Sequence, residues 1–354
     1  MKSNLNFFKK SKTLPVDKFF ENVLYDKKFG YYSSKNPFGK DGDFITAPKI
    51  SKLYSEMIGI WLVSTWEIFG KPKNFNIVEL GPGDASLTKV LFEVFERFPE
   101  FNLVKNIYLY ETSQLLKIKQ KKNLKNKKVK WIKNFKNITK GPIIFFGNEF
   151  FDAIPIKQFR RENDYLFAKC YNLKKNYKIK EMFKNATAKD LKTINSFKSL
   201  SSLKFIEFPK SGLRELTKAT ERISKLTGCI LIVDYGYINP NNQNTLQSVL
   251  KHKKNTLLKN LGKADITSHV NFSLLSEFFL KNNLKVKKTI TQEEFLKNLG
   301  ILERAELIAK KMNFSSKANL YHRLKRLLSP NLMGSLFKVI LAYNFKKNNY
   351  LGFK

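Results

Sequence analysis

A carboxylate, a turn with two glycines and a helix start follow one another in Val78-Glu79-Leu80-Gly81-Pro82-Gly83-Asp84-Ala85-Ser86. Glycine adopts positive φ and lets a ligand approach the backbone closely. A helix opening after such a turn presents unpaired N–H groups and the positive end of its dipole. The combination suits a pyrophosphate or a small carboxylate. A dinucleotide site needs a third glycine where this chain has Ser86, and Glu79 would repel a pyrophosphate. Glu79 suits the sulfonium and ammonium of S-adenosylmethionine. The reading is methyl transfer, with Glu79, Gly81, Pro82 and Gly83 on the methionine end of the cofactor. A glycine turn with no ligand is the alternative.

Further groups fall at the ends of later apolar runs. Tyr110-Glu111-Thr112 puts a carboxylate where both ribose hydroxyls would lie. Glu111 follows Gly83 by 28 residues, more than the ~20 of a dinucleotide fold. Trp131, in Lys130-Trp131-Ile132, is expected near the adenine. The fourth run ends in Gly147-Asn148-Glu149-Phe150-Phe151-Asp152-Ala153-Ile154-Pro155. Its two carboxylates and amide cannot stay buried without partners. They either cap the following turn or clamp a substrate. The clamp reading makes Glu149, Asp152 and Asn148 the catalytic candidates, with Phe150 and Phe151 excluding water beside the substrate. His269 is a candidate substrate contact, against a plain structural histidine. His252 and His322 share no metal-ligand spacing with it, and no metal is expected.

The elements that must hold these groups alternate. Strands are expected at 76–80, 106–111, 128–132, 142–147 and 228–234, with helices at 86–98, 113–123 and 212–226. Such alternation predicts a doubly wound, mostly parallel α/β sheet. A helix over 14–25 and a long helix from Pro48 to about Phe69 precede it. Residues 29–43 read as an ordered loop. Between Pro155 and Pro209 the alternation stops, and 158–167, 169–173 and 177–182 read as short antiparallel strands. A polar loop is expected over 238–263. A helix at 273–282, a strand near 285–290, two helices between 302 and 328, and a last strand at 336–343 follow. The division is an N-terminal helical cover and site loop over 1–70, a catalytic domain over 71–157 and 211–354, and an inserted α+β substrate or partner region over 158–210.

Composition adds bounds. The formal charge of +37 comes from 66 Lys and Arg against 29 Asp and Glu in 354 residues. Only eight are arginine, and the lysines are spread along the chain. The excess therefore reads as solvated faces and compositional bias, with weak, salt-sensitive attraction to nucleic acid following from charge alone. Two cysteines make no disulfide framework. No apolar run reaches the ~18 residues of a membrane span. A reducing cytoplasm is the expected location, ahead of a mitochondrial matrix.

The residues also resemble a known family, the MidA-type methyltransferases. The resemblance rests on Phe38-Gly39-Lys40-Asp41-Gly42-Asp43-Phe44-Ile45-Thr46-Ala47-Pro48, the 78–83 and 110–113 motifs and 148–155. Asp234-Tyr235-Gly236, Asp265-Ile266-Thr267-Ser268-His269-Val270 and Met333-Gly334-Ser335-Leu336-Phe337-Lys338-Val339 extend it. It implies a Rossmann-like seven-stranded S-adenosylmethionine methyltransferase. The family includes an assembly factor for respiratory NADH:ubiquinone oxidoreductase, regarded as symmetrically dimethylating an arginine of a core subunit. An arginine-containing protein client is the implied partner. Gly42 to Thr46 is expected to fold over the cofactor, with Thr46 touching it. Two departures stand out. The family continues the glycine turn with Arg-Gly-Thr where this chain has Asp84-Ala85-Ser86, and commonly has Glu where Lys49 stands. Methylation of RNA or a small molecule, and client binding with little catalysis, are the alternatives.

Overall fold

Every apolar run that precedes a candidate motif is a strand of one sheet. This computed structural model describes residues 5–9, 11–34 and 46–353. The strands lie side by side in the order Lys285–Val286, Phe337–Tyr343, Gly228–Tyr237, Ile143–Asn148, Phe75–Leu80, Lys105–Tyr110, Val129–Ile132. Phe337–Tyr343 runs antiparallel to Gly228–Tyr237, and the pairings from there to Val129–Ile132 are parallel. The short strands Val270–Asn271 and Ile290–Thr291 pair onto the same sheet.

The middle strands are buried on both faces, which is why they read as unbroken apolar runs rather than alternating ones. Ile77, Ile144, Phe146 and Leu231 pack with the helices Lys52–Ile68 and Ser86–Phe95 on one face. Val78, Phe145, Ile230 and Ile232 pack with Lys210–Leu226 and Phe272–Lys281 on the other. Phe145 is fully buried at the centre. Phe145→Ala is expected to lower unfolding free energy by about 3–5 kcal/mol in denaturant titration. A loss below about 1 kcal/mol would mean the site can collapse around the missing ring.

A second, antiparallel sheet joins Lys157–Glu162, Tyr165–Leu173, Ile179–Asn185 and Phe205–Phe208. The N-terminal strand Thr13–Pro15 supplies its edge, pairing with Cys170 to Asn172. The helix Val16–Tyr25 buries Val16, Phe19, Phe20, Val23 and Leu24, an i, i+3, i+4, i+7, i+8 stripe. Phe19 and Phe20 meet Tyr171 of the second sheet at ring distances of 4.9 and 5.6 Å.

Several expected elements are corrected. The helix from Pro48 is two helices, Ala47–Ile50 and Lys52–Ile68, broken where Ser51 is extended and its side chain accepts the Leu53 N–H. The strand expected over 158–167 is a hairpin, because Asn163 takes φ +50° and turns the chain. The loop over 238–263 contains strands Gln247–Leu250 and Lys253–Asn255, which pair with each other and with Asp265–Thr267. The strand near 285–290 is two short ones, Lys285–Val286 and Ile290–Thr291. Helices Pro99–Val104, Ala188–Asn195 and Gln292–Asn298 were not expected. Of residues 29–43, Tyr31–Ser34 is helical; residues 35–45, which hold most of the Phe38 to Pro48 motif and of the cover expected over Gly42 to Thr46, lie outside the described residues.

Candidate active site

The glycine turn follows Phe75–Leu80 and opens the helix Ser86–Phe95. Gly81, Gly83 and Ala85 all take positive φ, +62°, +56° and +63°. Gly81 N–H donates to the Tyr110 carbonyl, 3.0 Å, and Ala85 N–H to the Pro82 carbonyl, 2.8 Å. The Phe150 ring lies against Gly81, where an added Cβ would stand 2.7 Å from Phe150 Cδ2. Glu79 is buried beneath the turn and accepts from the Thr88 hydroxyl. Burial pushes its carboxyl up to about 7, and the Thr88 bond opposes the rise.

Glu111 stands at the next strand end. Its Oε1 accepts the Thr112 and Ser113 N–H groups, both at 2.8 Å, and its Oε2 accepts from Gln120 Nε2 at 3.3 Å. Gln120 also donates to the Gly83 carbonyl, 2.8 Å, and accepts from Trp131 Nε1, 2.8 Å. One buried amide therefore ties the glycine turn, Glu111 and Trp131 together. The sequence reading missed Gln120. Its signal was position, four residues after Leu116 and so on the one buried face of a lysine-rich helix.

The third cluster is the turn after Ile143–Asn148. Glu149 takes φ +52°, the left-handed region, and its N–H donates to the Val233 carbonyl, 2.9 Å. Glu149 Oε1 accepts from Ala47 N, 3.2 Å, and from Asn148 Nδ2, 3.3 Å. Asn148 Oδ1 accepts from the Tyr54 hydroxyl. The turn is capped by Asp234, a residue given no role in the sequence reading. Asp234 Oδ2 accepts the Phe151 and Asp152 N–H groups at 2.8 and 3.2 Å. Tyr235 OH donates to Asp152 Oδ2, 2.7 Å, and Asp152 Oδ1 is buried without a partner among the described residues. Ser268 N–H and the Tyr25 hydroxyl hold the Asp152 and Ala153 carbonyls at 3.0 and 2.9 Å. An acid ending an apolar strand, as in Asp234-Tyr235-Gly236, was the available signal for Asp234.

Burial, then the nearby Asp152 charge, push the Glu149 carboxyl up to about 8. Burial also raises Asp152 against its Tyr235 bond, and raises Asp234 well above the usual range with help from Asp152 and Glu149. A carboxyl raised in the fold contributes stability that is full below its unfolded pKa and lost as pH climbs through the folded value. For Glu149 the window runs from 4.5 to about 8. Ligand-free protein is expected to melt several degrees higher at about pH 5 than at about pH 8.5, and Glu149→Gln to shrink that difference. Equal pH dependence in the two proteins would mean Glu149 ionises freely.

The remaining candidates separate. Phe150 lines a cleft of about 740 Å³ with Tyr25, Tyr32, Thr112, Ser113 and Glu215. Phe151 is buried, meets the Phe150 ring edge-on at 5.8 Å, packs against Gly212 and borders a second, small hollow that it shares with His269. His269 meets the Tyr235 ring edge-on at 5.4 Å and lines a separate small hollow beside Glu207. Burial and Lys338 lower its pKa. Thr46 is half-buried before the helix Ala47–Ile50 and makes no side-chain cap bond. His252 and His322 are exposed.

A family model for S-adenosyl-L-methionine-dependent methyltransferases matches residues 57–290, a span holding the glycine turn, Glu111 and the Glu149 turn. The chain belongs to that methyltransferase family. A relative from Caenorhabditis elegans, named protein arginine methyltransferase NDUFAF7 homolog, mitochondrial, is 30% identical over 320 residues, covering 82% of this chain and 74% of its own. The human protein of that name is 27% identical over 353 residues, covering 92% of this methyltransferase and 78% of its own length. A crystal structure of a protein from Burkholderia thailandensis bound to S-adenosyl-homocysteine shares the fold. It has a TM-score of 0.81 at 20% identity, with 96% of this chain and 90% of that chain covered.

The donor set of the methyltransferase fits S-adenosylmethionine. Positive-φ glycines make a cradle that a Cβ at Gly81 would fill. Glu79 lies beneath it and Glu111 beside it, and a cationic methionine end and a ribose diol each call for a carboxylate. Among the described residues no group of three or more His, Cys, Asp or Glu could hold a metal ion, and no helix is long and apolar enough to cross a membrane.

Proposed function

We propose that this methyltransferase methylates a guanidinium nitrogen of an arginine in a protein client, with Glu149 and Asp152 as the clamp. The observation that carries the reading is a buried Asp152 beside a half-buried Glu149 at one sheet edge, one Asp152 oxygen having no partner among the described residues. The names of the relatives support the substrate class, and an assembly client of the respiratory chain is the finer proposal.

The cofactor supplies a methyl group already activated on a sulfonium. The chain's own residues do the rest. Glu79, Gly81, Pro82 and Gly83 hold the methionine end, Glu111 the ribose, and Trp131, fixed by Gln120, stands beside the adenine. Thr46 closes over them at the end of the N-terminal motif. Asp152 Oδ1 and the free side of Glu149 accept the N–H fork of the guanidinium, a geometry carboxylates match well. An arriving cation favours the charged form of both acids. Charge is then drawn away from the attacking nitrogen. Glu149, whose proton affinity is already high, takes the proton that the methylated nitrogen sheds. Asn148, held by Tyr54, fixes the Glu149 carboxylate. Phe150 excludes water from the turn, and His269 supports Tyr235 from behind.

Residues 158–210 serve as a client-facing insertion on a catalytic domain of 71–157 and 211–354, whose seven-strand path is the methyltransferase sheet. Residues 1–70 act as its cover, edge strand included. Two buried free thiols, Cys170 and Cys229, suit a reducing compartment, cytoplasm or matrix. The test is incubation of a lysate with tritiated S-adenosylmethionine, with and without the enzyme, then acid hydrolysis and chromatography. Enzyme-dependent label in methylarginine supports the reading. Label in RNA or small molecules, or cofactor binding with no label in any client, replaces it.

A further inference from the structure

The helix Ala47–Ile50 is only four residues long, yet it touches both halves of the site. Its first N–H, on Ala47, donates to Glu149 Oε1. Two residues on, Lys49 Nζ lies 2.8 Å from Asp84 Oδ2, with the two side chains 19% and 12% exposed. Asp84 sits inside the glycine turn between Gly83 and Ala85, both at positive φ. Its other oxygen accepts Ser86 N–H, 3.2 Å, and its carbonyl accepts from Asn123, 2.8 Å. Burial alone would raise the Asp84 pKa, yet Lys49 and Ser86 hold it below the usual value.

We propose that Lys49 and Asp84 are positioning residues for cofactor binding, and that their ion pair registers the glycine turn against the Glu149 turn through Ala47–Ile50. This rests on the reading that the glycine turn holds the cofactor. The physical case is that the turn needs an external brace. Three of its residues occupy left-handed backbone, and Ala85 does so with a Cβ, which costs energy unless neighbours enforce it. A mostly buried ion pair adds little net stability, but removing one partner leaves a charge uncompensated. The pair therefore fixes geometry more than it stabilises the fold. A shift of Lys49 moves the Ala47 amide, and with it the bond that holds Glu149.

The variants are Lys49→Met, Asp84→Asn, Lys49→Arg and the exchanged pair Lys49→Glu with Asp84→Lys. Calorimetry with S-adenosylhomocysteine, steady-state kinetics in S-adenosylmethionine and thermal melts are measured on each. The single neutral variants are expected to weaken product binding roughly tenfold or more, and to raise KM for the cofactor more than they lower kcat. Lys49→Arg is expected to bind within about threefold of wild type, and the exchanged pair, which restores the opposite charges but loses the acceptor for Ser86 N–H, to bind better than either neutral single. Wild-type binding in both neutral variants overturns the proposal, as does an exchanged pair no better than the singles in a folded protein. A fall in kcat at unchanged cofactor KM overturns it too. Product binding is read without any acceptor, so a failed arginine assignment leaves this result standing, and the reverse.

Discussion

Glu149→Gln is expected to lower methyl transfer by about two to three orders of magnitude while leaving product affinity within about threefold of wild type. Glutamine keeps the shape of the side chain and can still accept the Ala47 N–H through its carbonyl oxygen. It cannot carry negative charge to a guanidinium, nor take up a proton from it. The loss is that of a charge-assisted contact in a buried site, where such contacts count most. Asp152→Asn acts on the same cation, so the double variant is expected to fall little below the worse single one, as groups that work as a unit do. The wild-type rate is expected to rise with pH as Glu149 ionises, and the Gln variant to lose that limb. Radiometric assays with calorimetry on the same preparations decide. Lost product binding would make Glu149 a cofactor ligand, and full activity in the double variant would remove the clamp.

Gly81→Val is expected to weaken S-adenosylhomocysteine binding at least a hundredfold, beyond the reach of ordinary calorimetry. Two independent facts drive this. Gly81 takes φ +62°, a region that β-branched residues avoid. Its Cβ would also stand 2.7 Å from the Phe150 ring, which must then swing away from the turn. Gly83→Val shares the first cause, at φ +56°, and is expected to behave alike. Wild-type protein is expected to gain thermal stability from S-adenosylhomocysteine by mass action and none from NAD. Near-normal binding in a folded Gly81→Val protein would move the cofactor elsewhere.

What the sequence made legible was local. The Gly81 to Ser86 turn announces itself because a strand, a tight turn and a helix start are written in neighbouring residues. The same grammar put Glu111 and Glu149 at strand ends. Asp234 was not legible as the cap of the Glu149 turn, because its partners lie 83 and 82 positions away. Only the parallel pairing of Ile143–Asn148 with Gly228–Tyr237 brings them together. Ser51 broke a helix that apolar periodicity carried straight through, since a capping hydroxyl outweighs pattern at a single residue. Lys49 and Asp84 were noted separately as departures from the MidA pattern. Together they are one ion pair, standing where the pattern places Glu and Arg with the signs exchanged.

The strand Phe337–Tyr343 lies inside the sheet, with Gly228–Tyr237 on one side and Lys285–Val286 on the other. Synthesis therefore delivers an interior strand after both of its neighbours. Until it pairs, seven residues of the neighbouring strand, from Cys229 to Tyr235, present an unpaired edge whose first five side chains are apolar. The sheet is therefore not laid down strand beside strand in chain order. Before that strand docks, the sheet has an open edge, the kind of surface that holding chaperones cover and aggregation exploits.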